Sequence, residues 1–266
     1  MKKTLAIITC ALIMFSCTQS PKHPQAELIN KSTRAVLTPA QISQYADSVD
    51  ANLNSFEKVS SLVYMLNDVS TTVEKYSANG VPVLFVKRRV NEGLNETVEK
   101  YYLNNDSLIL SNVVIKTIKD RLTSTKETRT YLRNNIAFKL DFRASDSELE
   151  NIPFKEIKNF KSPILSVEAL ISQLNEVTSG TNKYEMVFEQ YIESENGKSL
   201  LLKSKLPGGY IASVIVDDED ALIDSIKSNP GIFKNERLQF KWKLANNEAH
   251  YVASSEGNTS ASGLKR

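Results

Sequence analysis

Several groups of side chains in this 266-residue chain have types and spacings that could do chemistry. Ser55 and Lys58 stand three apart, a spacing at which an amine can help activate a hydroxyl. The companion Ser-Asp-Asn and Lys-Thr-Gly elements are absent, so the pairing reads as chance. Asp217-Asp218-Glu219-Asp220 offers the hard oxygens that suit Ca²⁺, but it lacks the alternation and central glycine of a cation loop. It stands where a helix should begin, and acids there serve as an N-cap and as first-turn charges that complement the helix dipole. His250 is one of two histidines, the other being His23 near the N-terminus, and a lone histidine on a strand is ordinary structure. Lys87-Arg88-Arg89 is the densest basic cluster; on a strand it splits between two faces and reads as a solvated edge that discourages aggregation. Pro207-Gly208-Gly209-Tyr210 reads as a positive-φ turn rather than a ligand loop. There is no Gly-x-Ser-x-Gly elbow, phosphate-binding glycine loop or His-Glu-x-x-His. The expectation is therefore no catalytic residue, no cofactor and no metal. The remaining reactive group is the Cys17 thiol.

Composition narrows the classes further. The 33 Lys and Arg against 31 Asp and Glu give a formal net charge of +2, which is no electrostatic footprint for nucleic acid. Within 184–254, 8 basic and 11 acidic side chains leave a net charge of −3, the wrong sign for neutralising phosphates. Two cysteines cannot build a disulfide framework, and two histidines make most His-dependent catalysis an unpromising reading. With 41% apolar residues the chain can fill the cores of about two ordinary domains.

The N-terminus carries the clearest signal. Met1-Lys2-Lys3 is a short positive region, and Leu5 to Phe15 is an apolar run of signal-peptide length, too short to cross a bilayer of about 30 Å as a helix. Met14-Phe15-Ser16-Cys17 resembles the lipobox of bacterial lipoproteins, with a small residue before the cysteine; Met14 and Phe15 depart from the strict pattern. Over its first twenty residues the chain resembles a Bacteroidota-type lipoprotein. The resemblance implies that the Cys17 thiol takes a diacylglycerol, that residues 1–16 are cut away as a signal peptide, and that the new amino group is acylated, with palmitate as the type of chain. A lipid of two or three chains, at about 0.8 kcal/mol per buried CH₂, is an effectively permanent anchor. Thr18, rather than Asp, follows the cysteine, which in that family favours the outer membrane. Thr18 to Lys22 lacks an acidic surface-export signal, which favours the periplasmic face. The competing reading is an ordinary signal peptide cut near Ser20. If Cys17 is lipidated and Cys10 is lost with the leader, no free thiol and no disulfide remain.

The rest of the chain reads as elements that would carry an interaction surface. Residues 17–37, with Pro21 and Pro24, read as a lipidated flexible tether. Thr38 and Pro39 are an N-cap with proline at the first helical position, and Ile42, Tyr45, Ala46, Val49 and Leu53 predict a helix over 39–54 packed on a sheet. Turn signals at Asn67-Asp68, Asn79-Gly80, Asn91-Glu92-Gly93 and Asn104-Asn105-Asp106 set the rhythm of an antiparallel meander. A weak repeat at an offset of 30 pairs Tyr101 with Tyr131, Asn104-Asn105 with Asn134-Asn135, Leu108 with Phe138 and Leu110 with Leu140. A boundary is expected at 144–165. Ser166 then caps a helix with Leu170, Ile171, Leu174 and Val177 on one side and Gly180 past its end. After it come strands near Tyr184–Glu189, Ser199–Ser204 and Tyr210–Val216, a helix over Asp218–Ser228, and strands near Leu238–Leu244 and Ala249–Ser254. Three strands, a helix and two strands resemble the order of the oligonucleotide/oligosaccharide-binding (OB) barrel.

The expected fold class is α+β, mainly antiparallel β: a helix plus β-meander domain over 38–160, a helix plus five-stranded OB-like barrel over 161–254, and a disordered tail over 255–266. Asp47-Ser48-Val49, Asp106-Ser107-Leu108 and Asp224-Ser225-Ile226 resemble the Asp-Ser/Thr-apolar triplet that carries O-glycans in exported Bacteroidota-type proteins; Ser107, in an expected turn, is the candidate. The expected function is a lipid-anchored envelope protein, non-catalytic, that docks or assembles with an envelope protein. The alternative is a binding module for a glycan, peptide or lipid, with Tyr101, Tyr131, Tyr191 and Tyr210 as aromatic contacts. A deep tyrosine-lined pocket would mark the alternative, and a flat exposed apolar patch the first reading.

Overall fold

The computed structural model describes residues 37–91, 94–119, 122–146, 148–195 and 197–254. The segments expected as a leader and a tether, with Cys17, lie outside the described residues as far as residue 36, as do residues 255–266. Helix α1 (Pro39–Ala51) begins as its residues require. Thr38 Oγ1 accepts from the Gln41 N–H at 3.3 Å and Gln41 Oε1 accepts from the Thr38 N–H at 2.9 Å, a closed capping box with proline in the first turn. Ile42, Ala46 and Val49 are its buried stripe. The expected last turn tightens instead into a 3-10 turn at Leu53–Ser55.

Nine strands follow: β1 (Glu57–Ser60), β2 (Tyr64–Leu66), β3 (Val69–Ala78), β4 (Val81–Asn91), β5 (Asn95–Asn104), β6 (Ser107–Lys119), β7 (Leu122–Arg133), β8 (Ile136–Ser145) and the two-residue β9 (Lys155–Glu156). From β2 to β9 they form the expected antiparallel meander. Three of its hairpins share one plan. Each turns on two residues with positive φ, Asn79-Gly80, Asn105-Asp106 and Asn134-Asn135, the backbone that suits the right-handed twist of the flanking strands. Each then carries one extra residue in its second strand, Val83, Ile109 or Phe138, opposite the step after Tyr76, Tyr102 or Tyr131. The repeat offset between the second and third hairpins is therefore 29, not 30. An offset of 30 aligns Tyr101 with Tyr131, whose side chains lie on opposite faces: the Tyr101 hydroxyl donates to Glu99, while that of Tyr131 meets Ser43 on α1.

The second half supplies α2 (Val167–Ser179), a 3-10 turn at Asn182–Tyr184, β10 (Met186–Ser194), β11 (Gly197–Ser204), β12 (Ile211–Ile215), α3 (Ala221–Ser228), α4 (Pro230–Phe233), β13 (Lys241–Ala245) and β14 (Glu248–Val252). Ser166 caps α2 through the Ala169 N–H at 3.2 Å, and Gly180 ends it with φ +62°, a left-handed turn that suits glycine. The order of the expected five-stranded module is present, but the barrel does not close. Among the described residues all fourteen strands belong to one open sheet, ordered β10-β11-β12-β2-β3-β4-β5-β6-β7-β8-β9, with β1 on β3 and with β14 on β12 and β13. The outer edge of β12 is divided between β2, at Ile211 opposite Met65, and β14, which pairs parallel at Val214 and Ile215. The five strands are thus fused into the larger sheet. β13 starts at Lys241 rather than near Leu238 and pairs with β14 over five residues; upstream of it, Asn235 and Glu236 bond the backbone of Phe188.

Helix α1 lies on the sheet face that carries Tyr102 and Tyr131, fixed by Tyr45 Oη donating to Leu103 O at 2.6 Å and by Asp50 accepting from Tyr102 and Lys100. On the other face Val73, Phe85, Tyr101 and Leu103 pack with Val167, Leu174 and Val177 of α2, and the same core continues into Phe188, Leu200, Val214 and Ile223. The segments expected as two domains share this core, and the described residues from Thr38 onward belong to one unit.

Candidate functional site

The expected chemical groups are placed, and mostly neutralised, by their neighbours. The Ser55 hydroxyl donates to Asn52 O at 2.7 Å, while Lys58 Nζ sits 2.5 Å from Glu74 and over the Tyr76 ring, so the two are committed to different partners. The acidic run disperses. Asp217 meets His250 Nδ1 at 2.8 Å, Glu219 accepts from Lys198, Lys227 and Tyr191, and Asp220 caps α3 through the Leu222 and Ile223 N–H groups. The hydrogen bonds from Lys198 and Lys227 push the Glu219 carboxyl down to about 2.

Lys87-Arg88-Arg89 does split between two faces, but β4 is an inner strand flanked by β3 and β5, so it guards no edge. Lys87 and Arg89 close on Glu99 at 3.2 and 2.7 Å, and Arg88 pairs with Glu96 on the opposite face. Burial alone would raise the Glu99 carboxyl, but Lys87, the Tyr101 hydroxyl and Arg89 outweigh it and hold the group low.

Ser107 is the first, half-buried residue of β6, directly after the Asn105-Asp106 turn, while Ser48 and Ser225 lie on α1 and α3. The four tyrosines named for ligand contact are engaged in the fold. Tyr101 and Tyr131 are buried, Tyr191 donates to Glu219, and Tyr210 stacks on Tyr184 with ring centroids 4.9 Å apart.

A different set of residues forms an open site. Among the described residues β13 ladders only with β14, and β1 only with β3. Between these strands runs a groove of about 520 Å³, lined by Lys58 and Ser60 of β1 and by every residue from Phe240 to Leu244. Successive strand side chains point to opposite faces, so a wall made of consecutive residues is a strand edge, backbone included. Trp242, the chain's single tryptophan, is 36% exposed there and packs on Phe240 at 5.8 Å, which packs in turn on Tyr251 at 5.7 Å. Lys241 and Lys243 flank it, both exposed and without an ion pair among the described residues. Phe240 and Trp242 also wall a smaller cavity of about 90 Å³ behind the groove, where Leu62, Tyr64 and Tyr184 meet the exposed Arg237. The site thus offers an edge with main-chain hydrogen-bonding groups, three ammonium groups and an aromatic contact. The sequence signal was the alternation Phe240, Trp242, Leu244 against Lys241 and Lys243, which marks a strand but does not say that one edge stays unpaired.

Comparison with protein-family models, with curated proteins and with solved structures gives no match. Among the described residues no three His, Cys, Asp or Glu side chains gather as a metal-ligand set, and no helix is long and apolar enough to cross a membrane.

Proposed function

We propose that the chain is a lipid-anchored protein of the cell envelope whose folded body is a non-catalytic docking or assembly module for an envelope protein. The observation that carries the docking part is the groove beside β13, where the exposed Trp242, backed by the half-buried Phe240, and two lysines without an ion pair among the described residues border a strand edge. Exposed aromatics with a hydrogen-bonding rim are the usual substance of protein contacts. The non-catalytic part is supported by the ion pairs that engage the inward-facing carboxylates: Glu99 with Lys87 and Arg89, Glu127 with Arg129 and Arg143, and Asp141 with Lys139. The anchor rests on the lipobox-like Met14 to Cys17, Thr18 after the cysteine supports retention at the outer membrane, and a stretch from Thr18 to Lys22 without acidic residues supports the periplasmic face.

Crosslinking in the native envelope followed by mass spectrometry tests the docking role; recovery of a specific protein partner is expected, and recovery of none overturns it. Cys17→Ala tests the anchor, because the variant should leave the membrane fraction; retention there refutes lipidation at this residue.

A further inference from the structure

We propose that the β13 groove binds an extended acidic segment of a partner protein, laid along the free edge of β13 with carboxylates at alternate residues. This rests on the docking role proposed above and names the chemistry that role would use. Lys241 and Lys243 are two residues apart on one strand, so their ammonium groups project from the same side, about 7 Å apart along the chain. A strand added beside β13 brings every second side chain opposite them, and opposite charges facing across paired strands attract. Lys58 on β1 extends the positive character to the facing wall, although Glu74 shares its charge.

The intervening residues of such a segment would point the other way, toward Trp242 and Phe240. The cavity behind these two rings, about 90 Å³ and bordered by Leu62 and Tyr64, has room for a small apolar side chain. The ligand class is therefore a peptide that alternates acidic and aliphatic residues. A polynucleotide fits less well, because its binding depends on a long track of cations and the groove has three.

Trp242 is the only tryptophan in the chain, so its fluorescence reports this groove directly. The full chain in detergent micelles is titrated with an acetylated and amidated Glu-Val-Glu-Val-Glu-Val peptide to about 1 mM, enough to detect weak association. A saturable emission shift is expected, together with slowed amide exchange over Lys241–Ala245. Lys241→Glu with Lys243→Glu should weaken binding by about 10- to 100-fold, since two attractive pairs become repulsive. Lys241→Gln with Lys243→Gln, which only removes charge, should fall between, and circular dichroism confirms that each variant folds.

The same peptide N-methylated at alternate residues keeps its charges but loses main-chain donors, and it should not bind. The proposal is overturned by the absence of any shift, by equal binding of the N-methylated peptide, or by an equal Trp242 emission shift with an oligothymidylate, which would make the groove a general polyanion surface. A crosslinked envelope partner whose recovery is unchanged by the double Lys→Glu variant also overturns the groove, while leaving the docking role intact.

Discussion

Asp220 ties three elements together, and its replacement has a calculable cost. Its Oδ1 accepts from the Leu222 N–H at 3.0 Å and the Ile223 N–H at 3.3 Å, capping α3, while Oδ2 accepts from the Ser254 N–H at 2.8 Å. Tyr251 Oη reaches both oxygens, at 2.9 and 2.8 Å, from a ring that is 4% exposed. Burial raises the carboxyl pKa, but the backbone donors and the Tyr251 hydroxyl outweigh it, so the group is held ionised. Asp220→Ala loses an N-cap, worth about 1 kcal/mol. It also strands the buried Tyr251 hydroxyl, at about 1–3 kcal/mol. The expected destabilisation is about 2–4 kcal/mol, read from the urea midpoint by circular dichroism and Trp242 fluorescence. Asp220→Asn keeps both a cap and an acceptor and should cost about 1 kcal/mol. Tyr251→Phe should be costly alone but nearly neutral beside Asp220→Ala, since no hydroxyl is then left to strand. Additive single effects, or an Asp220→Ala cost under about 0.5 kcal/mol, would refute this account of the site.

Two further outcomes follow from other parts of the core and surface. Glu219 is held at about 2 against an ordinary 4.5, so its ion pairs contribute stability that is complete above the ordinary value and is lost as pH falls from about 4.5 toward 2. Glu219→Gln should flatten acid unfolding in that window, and an unchanged pH profile would count against the pairing with Lys198 and Lys227. Leu174, 1% exposed at the centre of the shared core, should cost about 2–5 kcal/mol on replacement by alanine, measured by urea unfolding.

What the sequence disclosed depended on how local its cause was. The caps of α1 and α2 were legible because Thr38 and Ser166 act within three residues of themselves, and the hairpins because Asn and Gly accept positive φ wherever they fall. The repeat register was missed by one residue because the extra residues Val83, Ile109 and Phe138 break the two-residue alternation, and a bulge leaves no compositional mark. The closed barrel was inferred from element order alone. Closure depends on which strand takes the outer edge of β12, and β2, some 150 residues upstream of it, occupies part of that edge. Arg88 and Arg89 were read as an edge for the same reason: strand order is a long-range property. The groove was invisible because, among the described residues, it arises where β1 and β13 each have a partner on one side only.

An open sheet must manage every free edge, and comparing these edges shows why the β13 groove stands apart. β9 has two residues, too few to template another chain. β10 bulges at Glu189 and is bonded at Phe188 by Asn235 and Glu236, so part of its edge is already occupied. β1 has four residues, and its Lys58 is paired with Glu74. β13 has five residues and two lysines with no ion pair among the described residues, which by themselves would be an ordinary guard against edge-to-edge association. A guard of that kind works by making the edge unattractive, yet Trp242 stands between the two lysines with a third of its surface in solvent, beside Phe240. An exposed indole favours association, whereas flanking positive charge rejects neutral and basic strands. Attraction and selective repulsion on one short edge together act as a filter, and the strands it admits are those that bring negative charge.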